Sequence, residues 1–139
     1  MLHYYVACSK STDIHLLLTE LTERRNFCLA HPGHEGEQDA LEDTIIAISR
    51  AKQKKIKVIS SKGGITRETM TVFALERYEK IWLERVLQGV LQGCTEQSKK
   101  EDVQRLLSVT RNAPEKKSAL TLTLNAEEGG QKVAKAEAR

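Results

Sequence analysis

"KIKVISSKGGITRETMTVFALE", residues 55–76, joins two segments of different period through a glycine pair. Lys55–Ser60 alternates polar and apolar residues, which predicts a strand. Ser61–Gly64 breaks it. From about Thr66 to Leu91 the apolar residues recur at helical spacing: Met70, Phe73, Ala74, Tyr78, Ile81, Trp82, Val86 and Val90. The stretch therefore reads as a strand, a tight break and a long helix.

The segments on either side fit the same scheme. Upstream, Leu41, Ile45, Ile48 and Ala51 mark an amphipathic helix, acidic at its start and basic at its end. Asn26–Ala30 ("NFCLA") reads as a short buried strand. Ile14, Leu17, Leu18 and Leu21 give a helix behind the N-cap candidates Ser11, Thr12 and Asp13. Leu2–Cys8 is a β-rich strand. Downstream, residues 96–110 carry Val103, Leu106, Leu107 and Val109 at helical spacing. Residues 113–139 read as a flexible Lys/Glu/Ala/Gly tail, in which Ala119–Asn125 alternates as one late strand would.

The predicted order is β-α-β-α-β-α-α plus a tail. Strands alternating with helices over short connections imply an α/β fold with a parallel sheet and right-handed crossovers. Residues 1–112 form its one domain. Functional groups of such sheets gather at the carboxyl ends of the strands. Here those ends are Cys8–Asp13, His31–Glu37 and Ser60–Thr66.

Composition narrows the function. The chain has 139 residues, 40% hydrophobic and 29% charged, enough for one domain with an aliphatic core because aromatics make up only 4%. A net charge of +3 gives no strong nucleic-acid signal. No apolar run reaches the length of a membrane span, and the N-terminus lacks a signal-peptide pattern. Three scattered cysteines do not make a disulfide framework. The expectation is a cytoplasmic chain with reduced thiols.

Cys28, His31 and His34 are spaced as Cys-x2-His-x2-His, and Cys8 or Glu35 could add a fourth zinc ligand. The spacing lacks a second Cys/His pair, and Cys28 sits in an apolar strand pattern where a thiol packs as a small hydrophobe. The reading is therefore no metal site. His31, Pro32, Gly33, His34, Glu35, Gly36 and Glu37 become a strand-to-helix loop suited to partner binding. Lys62, Gly63 and Gly64 before a helix could approach an anion through backbone N–H groups, although no Walker motif accompanies them and a lone glycine pair reads first as a plain turn. The long helix has more apolar surface than a three-stranded sheet can cover, which predicts a homo-oligomer formed through residues 78–91.

The first half of the chain, residues 2–75, resembles the Toll/interleukin-1 receptor (TIR) domain. The resemblance rests on "YYVACSKSTD" as a first strand and loop, on "FCL" (27–29) as the second strand, on "LEDTIIAISRAKQK" as the second helix and on "IKVIS" as the third strand. It implies a flavodoxin-like βαβαβ core of parallel strands in the order 2-1-3-4-5, here with a helical C-terminal extension over 76–112. It also implies a signalling or scaffold module acting through homotypic protein contacts, with no cofactor. Some members of that family cleave NAD with a carboxylate. The corresponding alternative here is a nucleotide-processing enzyme using Glu68 or Glu76, with Ser9 and Lys10 nearby and NAD as the cofactor. A small dimeric regulatory protein is a third expectation.

Overall fold

The computed structural model describes residues 2–118, 123–126 and 132–133. Its elements run β1 (His3–Cys8), α1 (Asp13–Ala30), α2 (Glu35–Ser49), β2 (Lys52–Ile59), β3 (Ile65–Leu75), α3 (Arg77–Gly93), α4 (Gln97–Arg111), β4 (Glu115–Lys116), β5 (Thr123–Ala126) and β6 (Lys132–Val133). The mixed α/β class holds. The purely parallel sheet does not.

Two segments depart from the sequence reading, and each has a physical cause. Residues 65–75 form a strand and not the first half of a helix. Ile65, Thr66, Thr69, Thr71 and Val72 are β-branched, Phe73 is aromatic, and such residues favour a pleated surface. The long helix starts only at Arg77, where Glu76 and Glu79 form a capping box; the Glu76 N–H donates to Glu79 Oε1 at 2.8 Å. Residues 26–30 form the end of α1 and not a strand. No Gly or Pro interrupts the chain from Asp13 to His31, so the helix continues until Pro32 forces the residue before it out of the helical region. His31 accordingly lies at φ −125°, ψ 109°.

The sheet order is β4-β1-β3-β2-β5-β6. β3 is antiparallel to both neighbours, with Tyr4 opposite Leu75, Cys8 opposite Thr71 and Lys54 opposite Met70. β1 and β2 thus run parallel with β3 inserted between them. β4 pairs antiparallel with the outer side of β1. This is the connection pattern of a split βαβ, or ferredoxin-like, sheet, with each crossover built from two helices instead of one. The order 2-1-3-4-5 implied by the resemblance is not the order of these strands. β5 adds to β2 in parallel, with Leu124 opposite Val58. The segment expected as a flexible tail therefore contributes strands at 115–116, 123–126 and 132–133, while 119–122, 127–131 and 134–139 lie outside the described residues.

Successive strand residues point to opposite faces. Val6, Ala7 and Cys8 are all buried, as are Val72 and Phe73, so the sheet is covered on both faces at its centre. α4 packs against β1 and α2 against β3, while α1 and α3 pack on α2. Away from that centre, β2 buries Ile56 and Val58 and leaves Lys55 and Lys57 exposed. A buried ion pair ties α4 to the start of α1: Arg105 donates to both oxygens of Asp13, at 2.7 and 2.9 Å. Asp13 also accepts from the Lys10 N–H at 3.1 Å. Among the described residues no helix is long and apolar enough to cross a membrane.

Candidate functional site

The densest convergence of polar and aromatic side chains flanks the turn between α1 and α2. Leu17, Leu21 and Cys28 share the buried side of α1, separated by whole helical turns. Pro32 ends that helix, and Gly33 reverses the chain at φ +97°, a conformation that side chains with a Cβ adopt at a cost. His34 then occupies the N-cap position of α2, and Glu37 lies in its first turn. The reversal faces Cys28 toward His34 and Glu37: a ligand atom from each, Sγ, a ring nitrogen and a carboxylate oxygen, lies within 4.8 Å of the others.

Arg24, one turn before Cys28, holds Glu37 bidentately. Its Nε donates to Oε2 at 2.5 Å and its Nη2 to Oε1 at 3.0 Å. His34 Nδ1 lies 3.3 Å from the same Oε1. These bonds, Arg24 first, hold the Glu37 carboxyl below the usual carboxylate range despite partial burial. Burial, followed by the Glu37 charge, pushes the Cys28 thiol up, so the thiol is not primed as a nucleophile. The Phe27 ring organises the surroundings. His31 stacks on it at 4.0 Å, His34 meets its edge at 5.7 Å, and the Arg24 guanidinium sits 4.6 Å from its centroid. His31 Nδ1 donates to the Phe27 carbonyl at 2.7 Å, which ties that ring back to the last turns of its own helix.

Beside this cluster a groove of about 630 Å³ opens between α1 and α3. Phe27 forms one wall and Trp82, Val86 and Val90 the other, with Glu23 and Arg85 at the rim. Arg85 covers Trp82 at 4.8 Å. The same side of α3 leaves Tyr78 and Ile81 exposed.

The other sequence-derived candidates do not converge. Glu68 lies on β3 and Glu76 caps α3, eight residues along an extended chain, or about 26 Å at the usual strand rise. Neither carboxylate joins the Cys28, His34 and Glu37 cluster at the α1–α2 turn. Lys10 is engaged by Asp102 at 3.1 Å. Gly63 and Gly64 precede a strand and not a helix. Two of the turn's N–H groups, those of Gly63 and Gly64, are spent on the Ser60 carbonyl at 3.0 Å and the Ser60 Oγ at 2.9 Å, so the helix-terminus anion site expected with Lys62 has no helix to form on. Glu76 instead lines a cleft of about 500 Å³ with Asp43, Tyr78 and Glu79. There the Tyr78 hydroxyl donates to Asp43 at 2.9 Å, which pushes the phenol up to about 12.

Of the loop 31–37, the structure brings His34 and Glu37 into the cluster and leaves His31, Pro32, Gly33, Glu35 and Gly36 exposed around it. Sequence reasoning left Arg24, Phe27 and the approach of Cys28 to Glu37 unrecognised. The usable signal was the absence of any helix breaker before Pro32, since a continuous helix places residues 24, 27 and 28 in one turn. Comparison with known proteins adds no direction: no family model, no curated protein and no solved structure matches the chain.

Proposed function

We infer that the chain is a protein-contact module that binds a second copy of itself through the groove between α1 and α3. The observation that carries this reading is the groove's chemistry: the exposed Phe27 and the half-buried Trp82 line it beside Arg24 and Arg85, the aromatic and arginine composition that supplies most interface energy. Both charge signs are present at its rim. Glu23, whose charge also acts on Lys99, and Arg85, which lies over Trp82, are opposite in sign, and a two-fold arrangement lets each meet the other across the interface. The exposed Tyr78 and Ile81 extend the apolar surface along α3. A scaffold or signalling role through homotypic contacts needs nothing further from this surface. The proposal draws on the groove and not on the TIR resemblance, whose "FCL" lies in a helix and whose "IKVIS" lies in an antiparallel hairpin.

Sedimentation equilibrium over a micromolar concentration series tests it. A concentration-dependent dimer is expected, and Trp82→Ala should weaken it by about 2 kcal/mol, roughly thirtyfold in Kd. Glu23→Arg and Arg85→Glu should each weaken the dimer, and the double exchange should restore it. A wild-type chain that stays monomeric throughout, or a double exchange no better than the singles, rejects the reading.

A further inference from the structure

The geometry points to a zinc site formed by Cys28, His34 and Glu37 across the α1–α2 turn, with a fourth position open to water.

The ligand set is mixed sulfur, nitrogen and oxygen, drawn from two helices and the turn between them. One zinc ion holds its thiolate, imidazole and carboxylate atoms about 3.3–3.8 Å apart in a tetrahedral shell. His34 Nδ1 and Glu37 Oε1 already stand 3.3 Å apart. The whole triad spans no more than 4.8 Å, so side-chain rotations of about 1 Å bring it to that spacing. Cys28 is 4% exposed, whereas the His34 side chain is 37% exposed. The ion would thus sit at the mouth of the turn, fixed from below by sulfur and reached by solvent from the His34 side.

Arg24 supports this arrangement. Metal-bound carboxylates are held by an outer hydrogen-bond donor, and the Arg24 guanidinium already orients Glu37 through two bonds. Thiolate and carboxylate together carry two negative charges against a dication. These charges already match, so the arginine's part is to orient the carboxylate and not to balance charge. A thiolate in the set disfavours calcium and magnesium, which select oxygen ligands, and favours zinc or its cobalt(II) substitute. His31 is left out because the ligand atoms that converge are those of Cys28, His34 and Glu37, while the His31 ring stacks on Phe27. The spacing is therefore Cys-x5-His-x2-Glu, and the nearer Cys-x2-His pair in the sequence is not the one that converges.

Cobalt(II) titration of the full chain, followed by thiolate-to-cobalt charge transfer and by competition with zinc, tests the assignment. One cobalt per chain with a charge-transfer band and intense tetrahedral d–d bands is expected, displaced by one equivalent of zinc. Cys28→Ser should abolish the charge-transfer band. His34→Gln and Glu37→Gln should each weaken zinc binding at least tenfold. Cys94→Ser should change neither. His34→Gln sits on the surface and keeps the assignment testable if Cys28→Ser does not fold. A band that survives Cys28→Ser, or that disappears in Cys94→Ser, overturns the site, as does failure of the wild-type chain to bind cobalt. The dimer measurement on metal-free protein is independent of all these outcomes.

Discussion

The α1–α2 and β2–β3 hairpins are opposite in character. The helical one, α1–α2, turns through His31–His34. The β one, β2–β3, turns through Ser60–Gly64. Each reverses on one glycine with positive φ, Gly33 at +97° and Gly63 at +85°. In the β hairpin the turn's polar groups satisfy each other, and the flanking side chains alternate between two faces, so Lys55 and Lys57 diverge from Ile56 and Val58. In the helical hairpin, residues three, four and six positions apart fall on one side and close on each other as Arg24, Cys28, His34 and Glu37. Convergence, and not the abundance of polar residues, separates a site from a solvated turn.

Core and tip substitutions should show the largest contrast. Leu41→Ala, in a fully buried position of α2, is expected to cost about 3 kcal/mol by urea unfolding. Ile65→Ala, at the 60% exposed start of β3, should stay within about 0.5 kcal/mol. Similar losses at both would mean that the β hairpin is as tightly docked as the helical one.

The two glycines come next. An added Cβ meets no atom within 4 Å at either, so Gly33→Ala and Gly63→Ala should each lose about 1 kcal/mol from backbone conformation alone. A much larger loss at Gly33 would show that the turn is held by the cluster around it. Glu37→Gln should then remove a pH dependence. With the Glu37 carboxyl held low in the fold, its contribution is fully present above the ordinary glutamate pKa of 4.5 and is lost as pH falls through the lower folded value. Melting temperatures of the variant and the wild type should converge on acidification through that range. The smallest effect is a gain: Gly36 lies inside α2 with open space around it, and Gly36→Ala should stabilise by about 0.5–1 kcal/mol in thermal melts.

The contrast also explains what could be read from residues alone. Helices with uninterrupted apolar stripes were legible, as α4 and the Arg77–Gly93 part of the long helical pattern show. "ITRETMTVFAL" was not, because Met70, Phe73 and Ala74 satisfy a helical spacing while Met70 and Val72 satisfy an alternating one. "NFCLA" failed for the same reason: five apolar-rich residues fit a buried strand or one helical turn, and only the absence of a breaker upstream decides between them. His34 and Glu37 were in view as loop residues. Their relation to Cys28 depended on placing that residue in a helix. Phe27 and Trp82 are 55 positions apart in sequence, and no local pattern joins them across the groove.

The short strands after α4 have a consequence for how the chain assembles. β4 lies on the free side of β1 and β5 on the free side of β2, so the three-stranded centre is flanked on both edges by residues beyond 114. During synthesis those residues leave the ribosome after the strands whose edges they cover. Until then two rows of backbone N–H and C=O groups stand open, one of them on β1, whose last three residues are wholly apolar. The C-terminal segment thus acts as a pair of edge guards, and a chain cut after Asn112 would keep all four helices while offering two templates for aggregation.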